Sequence, residues 1–291
     1  MPSELPLDIM KTLIALLLAG ACSALWAQTP ANNPMPDGSR DLYVGLGVVS
    51  EPSYLGGAER RVRALPLLQL EWSNGVFVSA LSAGMHLSGS PGVEYGPLLA
   101  LHSRRSECGA GPGAGAVTPA IPGILRPTTR AQEGGNALAG MDEIGARLQA
   151  GMFFNYYLSP GLRLTNSVLV GAGKERDGVL WNLGLQQSAP DITAHQRLSF
   201  GAGLTLVNRN YNSSYSGVSA AEAKTSGHPE YGAGAGVRDV YLAAGWNWAL
   251  SPSWMLASGA RVTRLQGDAR HSPLVQRPTN VVITTGLAYR F

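Results

Sequence analysis

The chain has 291 residues, a formal net charge of +3 and 45% hydrophobic residues, and only 14% of it is charged, against roughly 25% in an average soluble domain. The apolar content excludes charge-driven disorder, and 22 basic residues set against 19 acidic ones, with no basic block, argue against a nucleic-acid binder. A disulfide scaffold is excluded as well, since Cys22 falls in a leader segment and leaves Cys108 alone.

Residues 1–27 read as an export signal: Lys11, the apolar run Leu13 to Leu18, small residues from Ala19 to Ala24, and a cleavage point after Ala27. Glu4 and Asp8 do not suit the positively charged start of such a signal, which makes Met10 an alternative first residue. Acylation of Cys22 is the rival reading, disfavoured because Ala19, three residues before it, is not a large aliphatic. Residues 28–40 are expected to form a flexible N-terminal segment and 41–291 one domain. No run of 18 apolar residues follows Ala27. The expected destinations are therefore a soluble periplasmic domain or an outer-membrane β-barrel, whose strands escape a hydropathy scan.

Beyond the leader the sequence alternates with period two. Leu42, Val44, Leu46 and Val48 oppose Tyr43, Gly45 and Gly47; then Val62, Ala64, Pro66, Leu68, Leu70 and Trp72 oppose Arg63, Gln69 and Glu71, with Leu65 and Leu67 blurring the pattern. Pro66 cannot donate to a ladder, so a bulge or local break is expected there. Strands are predicted next over 76–86 and 93–104. From Ile144 to Leu158 the even positions are apolar and the odd ones include Arg147, Gln149 and Asn155. A helix would scatter those three around its circumference, so this is a strand, and at 143–158 one long enough to cross a membrane. Further strands are predicted over 161–171, 179–187, 196–207, 237–250, 253–265 and 281–291. In the last, Ile283, Thr285, Leu287, Tyr289 and Phe291 share one face, and Tyr289 and Phe291 resemble the C-terminal signal by which bacterial outer-membrane barrels are recognised for insertion.

Eleven segments result, whereas single-chain bacterial barrels have even strand numbers. With the C-terminus inside, one crossing is missing between 93–104 and 143–158, and 113–126 is the segment available, despite Pro119 and Pro122. The predicted fold is all-β: a transmembrane antiparallel up-and-down β-barrel of twelve strands, with ten as the alternative. A soluble β-sandwich also alternates. The barrel is favoured by the strand lengths, by a polar face rich in Gly, Ser, Thr and Arg, and by the aromatics Trp72, Tyr156, Tyr157, Trp246, Trp248, Trp254 and Tyr289 beside turns. Short turns (Ser73-Asn74-Gly75, Ser159-Pro160-Gly161, Ser251-Pro252-Ser253) alternate with long segments at 51–61, 105–140, 172–178, 208–236 and 266–280, which is the asymmetry between periplasmic turns and external loops.

Particular stretches carry a family resemblance. Pro52-Ser53-Tyr54-Leu55-Gly56-Gly57, Gly96-Pro97-Leu98-Leu99, Tyr215-Ser216-Gly217-Val218-Ser219-Ala220-Ala221-Glu222-Ala223, Gly234-Ala235-Gly236-Val237-Arg238-Asp239-Val240, Leu265-Gln266-Gly267-Asp268-Ala269, Ser272-Pro273-Leu274-Val275 and Tyr289-Arg290-Phe291 resemble, in this order, the MipA/OmpV family. The stretch 105–140 departs from it, as does His271, where the family tends to carry an Asp. The resemblance implies a bacterial outer-membrane barrel that acts through binding. It points to a non-enzymatic scaffold joining a lytic murein transglycosylase to a penicillin-binding synthase, with small-molecule permeability, antibiotic sensitivity and host adhesion as roles linked to other members.

No catalytic, cofactor or metal site is expected. His86, His102, His195, His228 and His271 form no visible motif with a nucleophile, and no His/Asp/Glu spacing suggests a metal. The Gly109–Gly113 run lacks the strand-to-helix context of a phosphate loop. The candidate lumen-lining set is Arg147, Arg163, Arg197, Asp239, Arg261 and Arg290, with Arg63 and Glu71 beside it. Two readings stand open: ion pairs filling a narrow lumen, or a cation-lined passage favouring anions.

Overall fold

The computed structural model describes residues 39–87, 92–102, 104–106, 109, 110, 138–189, 193 and 195–291. The leader, most of segment 28–40, Cys22, Cys108 and the strand expected over 113–126 lie outside the described residues.

Twelve strands close into one antiparallel barrel. In chain order they are β1 (Arg40–Pro52), β2 (Arg60–Trp72), β3 (Val76–Ser79), β4 (Ser82–Met85), β5 (Val93–His102), β8 (Arg147–Ser159), β9 (Leu162–Ala172), β10 (Gly178–Ser188), β11 (Gln196–Val207), β12 (Gly236–Ala249), β13 (Trp254–Leu265) and β14 (Thr279–Arg290). Between β5 and β8 lies a two-stranded ribbon, β6 (Arg105–Ser106) and β7 (Gly109–Ala110). Closure is made by β14 on β1, from Tyr43↔Arg290 to Ser50↔Ile283. Closing leaves neither of those strands with an open edge, the condition a sheet must meet in hydrocarbon.

The twelfth strand is not the segment expected. Residues 76–86 split into the hairpin β3–β4, and β5 pairs directly with β8, from Val93↔Tyr156 to His102↔Arg147. The split escapes sequence reading because the reversal at Ala80-Leu81 holds no Gly, Asn or Asp, although Ala80 takes a left-handed φ of 54°. The expected start of β8 also moves. Ile144 leaves the outer face and is fully buried, making a backbone bridge with Arg105 in place of a wall contact.

Pro66 causes no bulge, since β1 and β2 stay in register from Arg40↔Trp72 to Pro52↔Arg60. The break is on the other edge. Leu68 O accepts from Ala80 N, so Leu68, and by the period of two Pro66, direct their backbone groups toward β3. The β2–β3 ladder stops at Gln69, and Pro66 lies beyond it, where among the described residues no strand asks it for a donor.

The outer wall is apolar: Leu46, Val62, Leu148 and Leu242 are 66–72% exposed, and Phe200, Ile283 and Phe154 also point outward. Such a surface is stable against lipid, not water. No described helix is long and apolar enough to cross a membrane. Trp254, Tyr289 and Phe291 form a chain of edge-to-face rings 5.1 and 4.9 Å apart at the short-turn rim, where an interfacial girdle is favoured. At the closing seam Gly47 faces Gly286, and a Cβ on Gly286 would lie 2.5 Å from Leu67 Cδ1 and 3.1 Å from the Gly47 Cα. Gly286→Val should therefore lower unfolding stability by about 1–3 kcal/mol through overpacking, as measured by urea titration of the refolded barrel; an unchanged midpoint would show the seam to be loose.

A capped barrel mouth as the candidate functional site

The described parts of the long segments meet over one end of the barrel, and among the described residues they include three short helices: α1 (Arg209–Ser216), α2 (Ala220–Ser226) and α3 (Gly267–His271). Asn208 caps α1 by accepting from Tyr211 N, and its Oδ1 also accepts from Val179 N at the top of β10, so the helix is tied to the wall. Tyr211 and Tyr215, one turn apart, share a face of α1, their ring centroids 4.6 Å apart. Ser219 and Glu222 form a reciprocal capping box at the start of α2.

A β-bulge brings charge to the same place. Thr205 opposes Asp239 but Leu206 opposes Val237, so Arg238 is an extra residue in β12 and is buried together with Asp239. Arg238 Nε donates to Asp239 Oδ2 at 2.6 Å and Arg238 Nη1 to the Tyr211 hydroxyl at 2.7 Å. Tyr211 OH lies 3.0 Å from His102 Nε2, and His102 Nδ1 lies 3.2 Å from Tyr215 OH, which accepts from Gly173 N. Thr205 Oγ1 donates to Asp239 Oδ1. Each ring nitrogen of His102 thus faces one of the two phenols. Burial pushes the Tyr211 and Tyr215 hydroxyls above the usual phenol range, so both stay protonated. The network joins β5, β11, β12 and α1 beneath the loops.

Above it sits a second polar cluster. The Glu222 side chain is 3% exposed and lies 2.8 Å from Lys174 Nζ and 3.6 Å from Arg105 Nη2, itself 4% exposed. Lys174 also reaches Asp142 at 2.8 Å, and Asp142 N donates to Glu222 Oε1. Burial pushes the Glu222 carboxyl up, but hydrogen bonds from Lys174 and from the backbone and hydroxyl of Ser219 outweigh it and hold the group at about 2. Burial pushes the Arg105 guanidinium down, opposed by Glu222.

An apolar cluster joins the loops of the cap. Tyr54 from the β1–β2 loop, Leu138 and Met141 before β8, Val218 from the β11–β12 loop and Leu274 from the β13–β14 loop form one buried cluster. Tyr54 OH donates to Leu274 O at 2.8 Å. A cavity of about 50 Å³ remains between Tyr54, His102, Arg105, Tyr211, Arg238 and Leu274, space for a few water molecules.

The lumen residues named from the sequence are spread along the barrel and do not form one site. Asp239 belongs to the bulge network. Arg147 donates to the carbonyls of Gly173 and Lys174 under the cap. Arg163, lower down, donates to Gln186 and lies 3.6 Å from Glu94. The Arg261 guanidinium sits 3.6 Å over the Tyr241 ring, Arg290 is paired with Asp41 at the short-turn rim at 2.7 Å, and Arg197 is exposed near that rim. Arg63 pairs with Glu51 at 2.7 Å. His86 packs tilted against Phe77 and edge-on to Phe153, apart from the cluster of His102. Sequence reading missed His102, Arg105, Lys174, Tyr211, Tyr215, Glu222 and Arg238 as a group, although the Ser219-Ala220-Ala221-Glu222 spacing is a legible capping box.

A family model described as MltA-interacting protein MipA matches residues 44–291. No curated relative matches the chain. Similar solved structures include an outer membrane channel from Pseudomonas putida F1, at 10% identity over 90% of this chain and 98% of that chain with a TM-score of 0.43. The NanC porin matches at 9% identity over 87% of this chain and 100% of its own, TM-score 0.37. The CymD monoaromatic hydrocarbon channel matches at 12% identity over 89% of both chains, TM-score 0.36. With its closed, lipid-facing wall and this family match, the protein is a β-barrel of the bacterial outer membrane.

Proposed function

The chain belongs to the MipA family of MltA-interacting proteins, and from that premise we propose that it is a non-enzymatic scaffold that holds a lytic murein transglycosylase, and with it a penicillin-binding synthase, at the periplasmic rim. The family's description, MltA-interacting protein, supports this choice of partner. The observation that carries the reading is the cap: loops from four parts of the chain meet in the cluster of Tyr54, Leu138, Met141, Val218 and Leu274. A barrel with its loops packed together over the mouth is suited to binding at its surfaces. The narrow-channel alternative requires that cap to part, and the lumen arginines 147, 163, 261 and 290 are each engaged by a carbonyl, carboxylate, amide or ring rather than forming a continuous cationic column.

The test is capture of a purified lytic murein transglycosylase on the detergent-solubilised full chain. Retention is expected, and it should be lost when, in a Cys108→Ser background, bulky maleimide polymers are attached at Ser73→Cys and Ser251→Cys in the short turns. Failure of capture, or capture indifferent to that blocking, would contradict the scaffold.

A further inference from the structure

On the lipid-facing wall a groove of about 460 Å³ crosses β10 to β13. Strand pairing defines it. Ala202 faces Leu242, Phe200 faces Ala244, Ala244 faces Ala260 and Leu242 faces Val262, so three alanines make a floor between walls of Phe200, Leu242 and Val262. Leu242 and Phe200 are 66% and 50% exposed. The groove is open along its length and lined almost wholly by carbon.

Charge stands at its outer end. Arg264 is two residues beyond Val262 on the same outward face of β13, about 7 Å further along the wall. It is exposed, and among the described residues its guanidinium meets no carboxylate. Arg60 crosses β1 toward the same place. Its Nη1 donates to Val281 O, and its Nη2 to Ser50 O and Oγ, all uncharged acceptors. Val281 pairs with Val262, and Thr279 with Arg264, so the two guanidiniums flank β14 at the top of the wall. This rim carries the long loops and therefore faces the outer leaflet.

We infer that this face is a binding site for an anionic, multiply acylated amphiphile of the outer leaflet, a phosphorylated glycolipid, with one acyl chain in the groove and its phosphates on Arg60 and Arg264. Two separated guanidiniums suit two phosphates, each a planar donor fork matching phosphate oxygens. An exposed apolar groove alone would take any chain; the arginine pair above it selects the head. The neighbouring Thr279 and Ser50 add hydroxyls and no negative charge.

Native mass spectrometry of the purified full chain, exchanged into detergent holding limiting lipid A, tests this. Bound lipid A should be retained by the unaltered protein. A basic residue at an anionic lipid surface contributes about 1 kcal/mol, so Arg60→Gln and Arg264→Gln should each lower apparent affinity about fivefold, and together about 25-fold. Ala244→Phe, which fills the floor without touching a charge, should weaken binding independently. Heat-modifiable migration of each variant reports that the barrel is folded. Equal retention by the double variant, equal retention of dephosphorylated lipid A, equal occupancy by phosphatidylglycerol, or a second copy of the chain on this face would each overturn the proposal.

Discussion

Asp239→Ala should be the most damaging single substitution in the barrel, lowering unfolding stability by about 3–5 kcal/mol. Asp239 is fully buried and is the carboxylate that Arg238 meets, at 2.6 Å, inside the bulge of β12. Removing it strands a buried guanidinium and also deprives the Thr205 hydroxyl of an acceptor. The cost of an uncompensated buried charge exceeds the worth of the pair itself. Replacing both partners by apolar residues, Arg238→Met with Asp239→Leu, should accordingly cost less than Asp239→Ala alone. Urea unfolding in lipid vesicles, followed by tryptophan fluorescence, measures both. If the single variant unfolded within about 0.5 kcal/mol of the unaltered protein, a range typical of surface substitutions, the buried network would not be what fixes this end of the barrel.

Glu222 governs the next largest effect, and it is local. Glu222→Ala leaves Arg105 and Lys174 without their shared carboxylate and removes the capping box of α2. Hydrogen bonds to charged groups contribute about 1.5–3 kcal/mol, so amide exchange over 217–235 should accelerate about 10- to 150-fold while the strands stay protected. The same carboxylate makes the cap acid-sensitive. Its folded-state value of about 2 lies below the ordinary 4.5, so its contribution is complete above about 4.5 and is lost as the pH falls toward 2. Loop exchange should rise across that window in the unaltered protein, and Glu222→Gln should flatten the rise. An identical acid profile in the Gln variant would assign the sensitivity to another group.

The wall was legible in the sequence because a membrane barrel must alternate: Leu148, Met152, Phe154 and Tyr156 point out and Arg147, Gln149 and Phe153 point in, as period two requires. The small hairpin at Ala80 was not, since alanine carries no turn chemistry and β3 and β4 read as one continuous segment. Ile144 shows the limit of patterning, since an apolar residue in phase with a strand is equally content beneath a loop. The candidate site was less legible still. Arg238 was out of phase with its strand until a one-residue bulge turned it inward, and no periodicity announces a bulge. His102, Tyr211 and Arg105 come from segments up to 109 residues apart, joined only by packing of the mouth. The helix starts that place the site obey local capping rules, at Asn208 and at Ser219 with Glu222, inside a segment the sequence analysis reads only as a long loop.

Planar-bilayer conductance of the purified full chain tests most directly whether the barrel works through its surfaces with its mouth sealed. The unaltered protein should pass no steady current at neutral pH, because the cluster of Tyr54, Leu138, Met141, Val218 and Leu274 packs the loops together over the mouth. A stable, anion-preferring conductance from the unaltered protein would contradict this account and make the lumen arginines a passage.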